Sequence, residues 1–126
     1  MNLSKLDKVF SEFIRLRDAD ENGLCPCVYC KHTVPWKSAE ACHFIDRRHL
    51  STRFDERNVN AGCFECNRTA SIFDYAENLT DKHGPRVIEE LTIKHRQTVK
   101  LSQADIDRLT EHYKDEVRKL KAEKGL

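Results

Sequence analysis

Cys27 and Cys30 form one Cys-x-x-Cys pair, Cys63 and Cys66 form a second, and His43, Asn58 and Asn67 lie between the pairs or directly after them. Each pair presents two thiolates from one tight bend, and two such bends supply the four sulfur ligands of a closed tetrahedral Zn²⁺ site. Thirty-two residues separate Cys30 from Cys63. A metal joining the pairs closes that long segment, so metal binding and folding are expected to be linked. Cys25, two residues before Cys27, could take its place as a ligand. Cys42 has no partner at ligand spacing and reads as a small buried hydrophobe. This framework alone specifies a zinc-stabilised module, and its task has to be read from the residues inside the loop.

Those residues can do phosphodiester chemistry. A histidine titrating near neutrality can take a proton from water, and a divalent cation can stabilise the departing oxygen. An asparagine amide oxygen is a hard donor of the kind Mg²⁺ or Mn²⁺ favours. The plainer alternatives are a packed histidine for His43, a turn residue for Asn58 and a helix N-cap for Asn67. Arg47, Arg48, Arg53, Arg57 and Arg68 crowd the same stretch, and the guanidinium fork suits phosphate. Asp46, Asp55, Glu56 and Glu65 are interleaved with them, so some of these arginines are expected in structural ion pairs. Arg47, Arg48, Arg53 and Arg68 are the expected DNA contacts. Such contacts position a backbone without reading bases, which implies low sequence specificity.

Flanking elements must hold this loop. Leu3, Leu6, Val9, Phe10, Phe13 and Ile14 recur at three- and four-residue steps and predict an amphipathic first helix, with Ser4 and Asp7 as a capping pair. Asn22-Gly23 predicts a turn before the first cysteine pair. Thr33–Trp36 and Ala41–Ile45 suit short strands of a small hairpin. From Arg68 to Leu79 no breaker interrupts the apolar positions, so a helix is expected to leave the second pair and stop at Gly84-Pro85. Pro85 then suits the first turn of a helix ending near His95. Ser102 and Asp105 open a last helix whose stripe of Ile106, Leu109, Tyr113, Val117 and Leu120 packs on its own domain or forms a seam with a second copy.

At 126 residues the chain suits one domain, expected over 1–126: an N-terminal helix in 1–22, a metal-bound core in 24–80 and a helical extension in 85–124. Lys and Arg number 22 against 21 Asp and Glu, a formal charge of +1, so any nucleic-acid surface must be local. The first residues lack the apolar run of a signal peptide and no stretch is long enough to span a bilayer. A cytoplasmic setting is expected, where paired Cys-x-x-Cys spacings bind metal before they form disulfides.

Together His43, Asn58 and Asn67 resemble the HNH, or ββα-metal, nuclease motif, and the order of cysteine pair, His, Asn, cysteine pair and Asn resembles the phage endonuclease VII type of junction resolvase. The stretch from Ala41 to Arg47, then Thr52-Arg53-Phe54-Asp55, Asn58, and Cys63-x-x-Cys66-Asn67 is similar to the central signature of the lambdoid phage NinG, or Rap, recombination proteins. Tyr75, Leu79, Lys82-His83-Gly84, Glu90-Leu91 and Lys100-Leu101-Ser102 extend the likeness over nearly the whole chain. The resemblance implies an α+β fold: a zinc-stabilised, treble-clef-like ββα-metal core with an N-terminal helix and two or more C-terminal helices. It implies His43 as general base, Asn58 as the brace of its loop, and Asn67 as a ligand of catalytic Mg²⁺ or Mn²⁺. It further implies an endonuclease acting on branched recombination DNA such as Holliday junctions or D-loops, in the host cytoplasm if phage-encoded. A homodimer through the C-terminal helix would suit a two-fold symmetric junction. Many HNH sites carry an aspartate directly before the base, where this chain has Cys42, a poor ligand for Mg²⁺. Asp46 is the expected second ligand, with Glu40 and His49 as alternatives, or the ion rests mainly on Asn67, phosphate and water. The missing acid also supports a non-catalytic zinc module that binds branched or single-stranded DNA. A sequence-specific HNH nuclease would need a larger base-reading region.

Overall fold

The computed structural model describes residues 2–126. Helix α1 (Ser4–Asp18) buries Leu6, Val9, Phe10, Phe13 and Ile14, the face that the apolar spacing predicts. The expected Ser4–Asp7 capping pair does not form. Leu3 is the N-cap, and the Ser4 amide donates to the Asn2 side chain at 2.9 Å. Asp7 instead reaches out of the helix to two arginines near His43. The following turn is held by the Asp20 carboxylate, which accepts from the amides of Asn22 and Leu24, with Gly23 at φ +79°.

The strands form two separate antiparallel pairs, β1 (Leu24–Pro26) with β2 (Thr33–Pro35) and β3 (Glu40–His43) with β4 (Val59–Gly62). This corrects the expected hairpin between 33–36 and 41–45. The first cysteine bend is the reason: the Lys31 amide donates to the Cys27 carbonyl, the Cys27 amide to that of His32, and Lys31 adopts φ +66°. The chain therefore doubles back at once and β2 pairs with the strand entering the bend. β3 finds its partner only after a helical turn, α2 (Leu50–Arg53).

The run after Cys66 is two helices, not one. α3 (Cys66–Thr69) ends where Ala70 turns to extended backbone, and the Ser71 hydroxyl accepts from the Phe73 amide to start α4 (Ile72–His83). Gly84, at φ +103°, stops α4 as expected. α5 (Val87–His95) starts after Arg86, so Pro85 precedes the helix instead of sitting in its first turn. α6 (Gln103–Lys124) carries the Ser102/Asp105 capping box that the sequence predicts.

Two apolar clusters hold these elements. In the first, α6 lays Ile106, Tyr113 and Val117 against α1, where Phe10 meets the rings of Tyr113 and Phe54 at centroid distances of 4.9 and 5.4 Å. The stripe that could have formed a seam with a second copy is thus spent within the chain. Lys124 closes the pair, its ammonium donating to the carbonyls of Leu16, Arg17 and Ala19 at the end of α1. In the second, Tyr75 and Leu79 of α4 pack with Val87 and Leu91 of α5 against Val28 and Cys42. The architecture is α+β, and no helix among the described residues is long and apolar enough to cross a membrane.

Candidate functional site

Four sulfurs come together although their residues are far apart in sequence. The Sγ atoms of Cys27, Cys30, Cys63 and Cys66 all lie within 4.8 Å of one another. A tetrahedron with 2.3 Å Zn–S arms has S···S edges of about 3.8 Å, so the cluster can hold a structural ion such as Zn²⁺ with little adjustment. The amides of Cys63 and Cys66 point at the Cys27 and Cys63 sulfurs at 3.3 and 3.4 Å. Burial opposes ionisation of Cys27, yet the N–H groups of Cys30, Cys63 and Tyr29 outweigh it and lower its pKa. Cys25 is not in the cluster. It is buried in the first apolar cluster, donates to the Arg15 carbonyl at 3.1 Å, and burial pushes its thiol up to about 11.

The staple is tied to the sheet and to α4. The Val28 amide donates to the Ala61 carbonyl on β4, and the Asn78 amide donates to the carbonyls of Val28 and Tyr29 at 2.7 and 3.0 Å. The buried Tyr75 hydroxyl donates to the Cys42 carbonyl at 2.6 Å and accepts from Asn60 at 3.1 Å, which fixes α4 to both strands. Opposite Glu40 stands Gly62, where a Cβ would come within 2.6 Å of the Cys42 sulfur. Cys42 is therefore packed beside the sulfur cluster, fully buried and, through that burial, held as a neutral thiol. It is unsuited to ligate Mg²⁺.

His43, the next residue, projects to the other side of β3 by the strand's two-residue period. Its Nε2 lies 3.1 Å from the Arg53 carbonyl oxygen. A carbonyl can only accept, so in the neutral ring Nε2 carries the hydrogen and Nδ1 the lone pair. Nδ1 has no protein partner among the described residues and is not shut off from solvent. Burial lowers the His43 pKa from its ordinary value, which favours this neutral form. Asn58 holds the loop that follows: its Oδ1 accepts from the Ile45 amide at 2.8 Å, and its Nδ2 donates to the carbonyls of Ile45 and Thr52 at 3.0 and 3.1 Å. It is completely buried and far more than an exposed turn residue.

His43 lines a cleft of 370 Å³ together with Glu40, Ala41, Asp7, Arg15 and Arg47. Asn67 does not line that cleft and is linked to it only through Glu40: its Nδ2 donates to Glu40 Oε1 at 2.9 Å, and Arg68 grips the same carboxylate at 2.9 and 3.3 Å. Glu65 is the N-cap of α3, so Asn67 is not the cap. The arginine fork lowers the Glu40 pKa and keeps it ionised. Asp46 faces elsewhere, accepting from the backbone amide and the guanidinium of Arg48 at 2.8 and 3.0 Å.

The four arginines read as DNA contacts are all ion-paired. Arg47 and Arg53 converge on Asp7, at 2.8 and 2.5 Å, Arg48 pairs with Asp46 and Arg68 with Glu40. Arg57 pairs with Asp55 and Glu90. Arg53, 18% exposed, is a structural strut, whereas Arg47 and Arg48, 58% and 81% exposed, keep their heads in solvent. Sequence reasoning missed Asp7 as their counter-ion because it was read as a capping residue, and a long-range carboxylate leaves no spacing signal.

The chain is 27% identical over 98 residues to the protein named "Protein ninG" of Escherichia phage 933W and of Enterobacteria phage VT2-Sa, and 26% identical to that of Salmonella phage P22. In each case 75% of this chain is covered and 46% of the relative, so the chain spans about half the length of the curated relatives it matches. No solved structure matches it significantly. The family described as "Bacteriophage Lambda NinG protein" matches residues 2–123, a span that takes in α1, the sulfur cluster, the His43 cleft and α6, and the chain belongs to that family.

Proposed function

We propose that this protein is a metal-dependent endonuclease of the HNH, ββα-metal type that cuts branched DNA recombination intermediates with low sequence specificity. The observation that carries the reading is a neutral imidazole with a free Nδ1 in a cleft that is also lined by Glu40, the carboxylate in contact with Asn67. The β3–β4 pair followed by α3, with a four-sulfur staple at its base, supports the ββα-metal and treble-clef-like assignment and the kinship with endonuclease VII-type resolvases.

In this reading His43 Nδ1 takes a proton from water as the water oxygen bonds to phosphorus. The phosphorus–O3′ bond breaks and the departing oxygen is protonated by solvent. Arg53 O keeps the ring in the tautomer the step needs, and Asn58 fixes the loop that carries Arg53 relative to β3. Asn67 fits a hard divalent cation, since its exposed amide already lies against a carboxylate, and Mg²⁺ or Mn²⁺ bound there would neutralise charge on the leaving oxygen. Arg47, Arg48 and Arg68 grip the phosphate backbone, and shape, not base edges, selects the substrate. Paired cuts in a four-way junction call for two chains. With the α6 stripe packed on α1, the contact between them falls on another face.

The second reading, a non-catalytic zinc module for branched or single-stranded DNA, draws on Cys42 occupying the place of the usual acid. A labelled four-way junction with Mg²⁺ separates the two. Wild type should cut while His43→Ala binds equally well and cuts at least about 100-fold more slowly, the loss expected for a general base. Binding without cutting by wild type, under either Mg²⁺ or Mn²⁺, leaves the module.

A further inference from the structure

We infer that Arg15 holds the scissile phosphate beside His43, and that the DNA strand leaves the cleft over a cationic strip that Arg15, Lys37 and Lys121 form around Trp36. The inference rests on the nuclease reading, but the binding it describes can be measured without cleavage.

Pairing separates Arg15 from the arginines that the sequence singles out. Arg47 and Arg53 are held by Asp7, Arg48 by Asp46 and Arg68 by Glu40, so each must leave or share a carboxylate before it can grip phosphate. Arg15 lines the His43 cleft and makes no ion pair among the described residues. Glu12, three residues away on α1, turns to Lys121 at 3.5 Å instead. The Arg15 Nε donates to the carbonyl and the hydroxyl of Ser11, both at 3.2 Å, and Nη1 donates to the Trp36 carbonyl at 3.1 Å. These bonds fix the side chain, yet Nη2 has no partner among the described residues and Nη1 keeps a second hydrogen. Two neighbouring nitrogens of a fixed fork are thereby available to one phosphate. Burial lowers the Arg15 pKa from its ordinary value although the charge of Glu12 opposes it, as expected of a guanidinium drawn partly out of water with no anion against it. The acids of the same cleft do not cancel this charge, because Asp7 already faces two guanidiniums and Glu40 one.

From the cleft the positive charge runs on over Trp36. The Arg15 guanidinium lies 5.7 Å from the indole centroid, and the ammonium groups of Lys37 and Lys121 each lie 5.8 Å from it. Three cations thus converge on one ring, and the one carboxylate paired among them is Glu12, on Lys121. Trp36 itself is buried, so its ring is a floor for the cations and not a stacking partner for a base. Contacts of this kind hold a phosphate backbone without reading sequence. Arg15 belongs both to the strip and to the His43 cleft, and that continuity favours a DNA strand as the occupant over an acidic protein segment.

The test uses the full, zinc-loaded chain and a fluorescently labelled four-way junction, with anisotropy read across a salt series without added divalent metal and zinc content measured on each sample as a check of the fold. Arg15→Met should flatten the slope of log affinity against log salt by about 0.9, and the double variant Lys37→Met, Lys121→Met by about 1.8, the loss of one and of two phosphate contacts. Lys114→Met, an exposed lysine of α6 outside the strip, should leave the slope unchanged. With Mg²⁺ and every junction bound, Arg15→Met should also cut about 100-fold more slowly, the low end for removing one preorganised donor from a reacting oxygen. An unchanged slope in Arg15→Met or in the double variant, an equal loss in Lys114→Met, or a wild type that binds no junction would each overturn the inference. Should Arg15→Met lose its zinc, the double variant decides alone: a flattened slope supports the strip and an unchanged one refutes it. Slopes as described in a protein that cuts no junction would end the nuclease reading and leave the strip standing as a DNA surface.

Discussion

At the scale of single residues, the tautomer of His43 follows from one contact, since only a protonated Nε2 can satisfy the Arg53 carbonyl. The other nitrogen is left to work, and burial lowers the pKa at which it loses that capacity. A general base acts when unprotonated, so cleavage should rise with pH through the lowered value and level off above it. The acid limb of the single-turnover rate is therefore expected below about 6.5, the ordinary histidine value, and a midpoint above it would speak against His43 as base. The sequence singles out His43, Asn58 and Asn67 as candidates because their order around the cysteine pairs resembles a known motif. The sequence offers Glu40 only as one alternative cation ligand and Asp7 only as a capping residue, because a lone surface carboxylate carries no periodicity and acquires its partner only when β3 meets α3 or α1 meets the 47–53 segment.

Among the elements, apolar periodicity was a sound guide where helices were long. α1 and α6 lie where the three- and four-residue steps put them, and the Ser102 capping box forms. Strand pairing was not readable, because three- and four-residue strands contain too little alternation to choose a partner, and the cysteine bend makes the choice instead. The contact of α6 with the end of α1 was equally hidden. Three carbonyls at the end of α1, of which that of Leu16 also accepts from the Ala19 amide, are met by one ammonium, a cation at a helix C-terminus. Lys124→Met should lower stability by about 1–2 kcal/mol in urea unfolding, while zinc content stays unchanged. A variant as stable as wild type would show that the α1–α6 apolar face suffices without the cap.

For the molecule as a whole, the sulfur staple joins segments far apart in the chain: the bend between β1 and β2, and the stretch that leads from β4 into α3. A structural Zn²⁺ contributes on the order of 10–16 kcal/mol in small zinc modules, comparable to or above the roughly 5–15 kcal/mol of net stability typical of a domain. Chelation, or replacement of Cys63 and Cys66 by Ser, should therefore abolish one bound zinc per chain and unfold the core, seen as loss of the cooperative thermal transition by circular dichroism. A chelated protein that melts as before would remove the staple from the account. The proposed nuclease requires this staple to set an imidazole and a carboxamide close enough to share one divalent cation. Its most direct test is side-chain NMR of zinc-loaded protein titrated with Mn²⁺: the His43 ring and the Asn67 amide signals should broaden together at substoichiometric metal. Broadening of one without the other, or of neither, would contradict it.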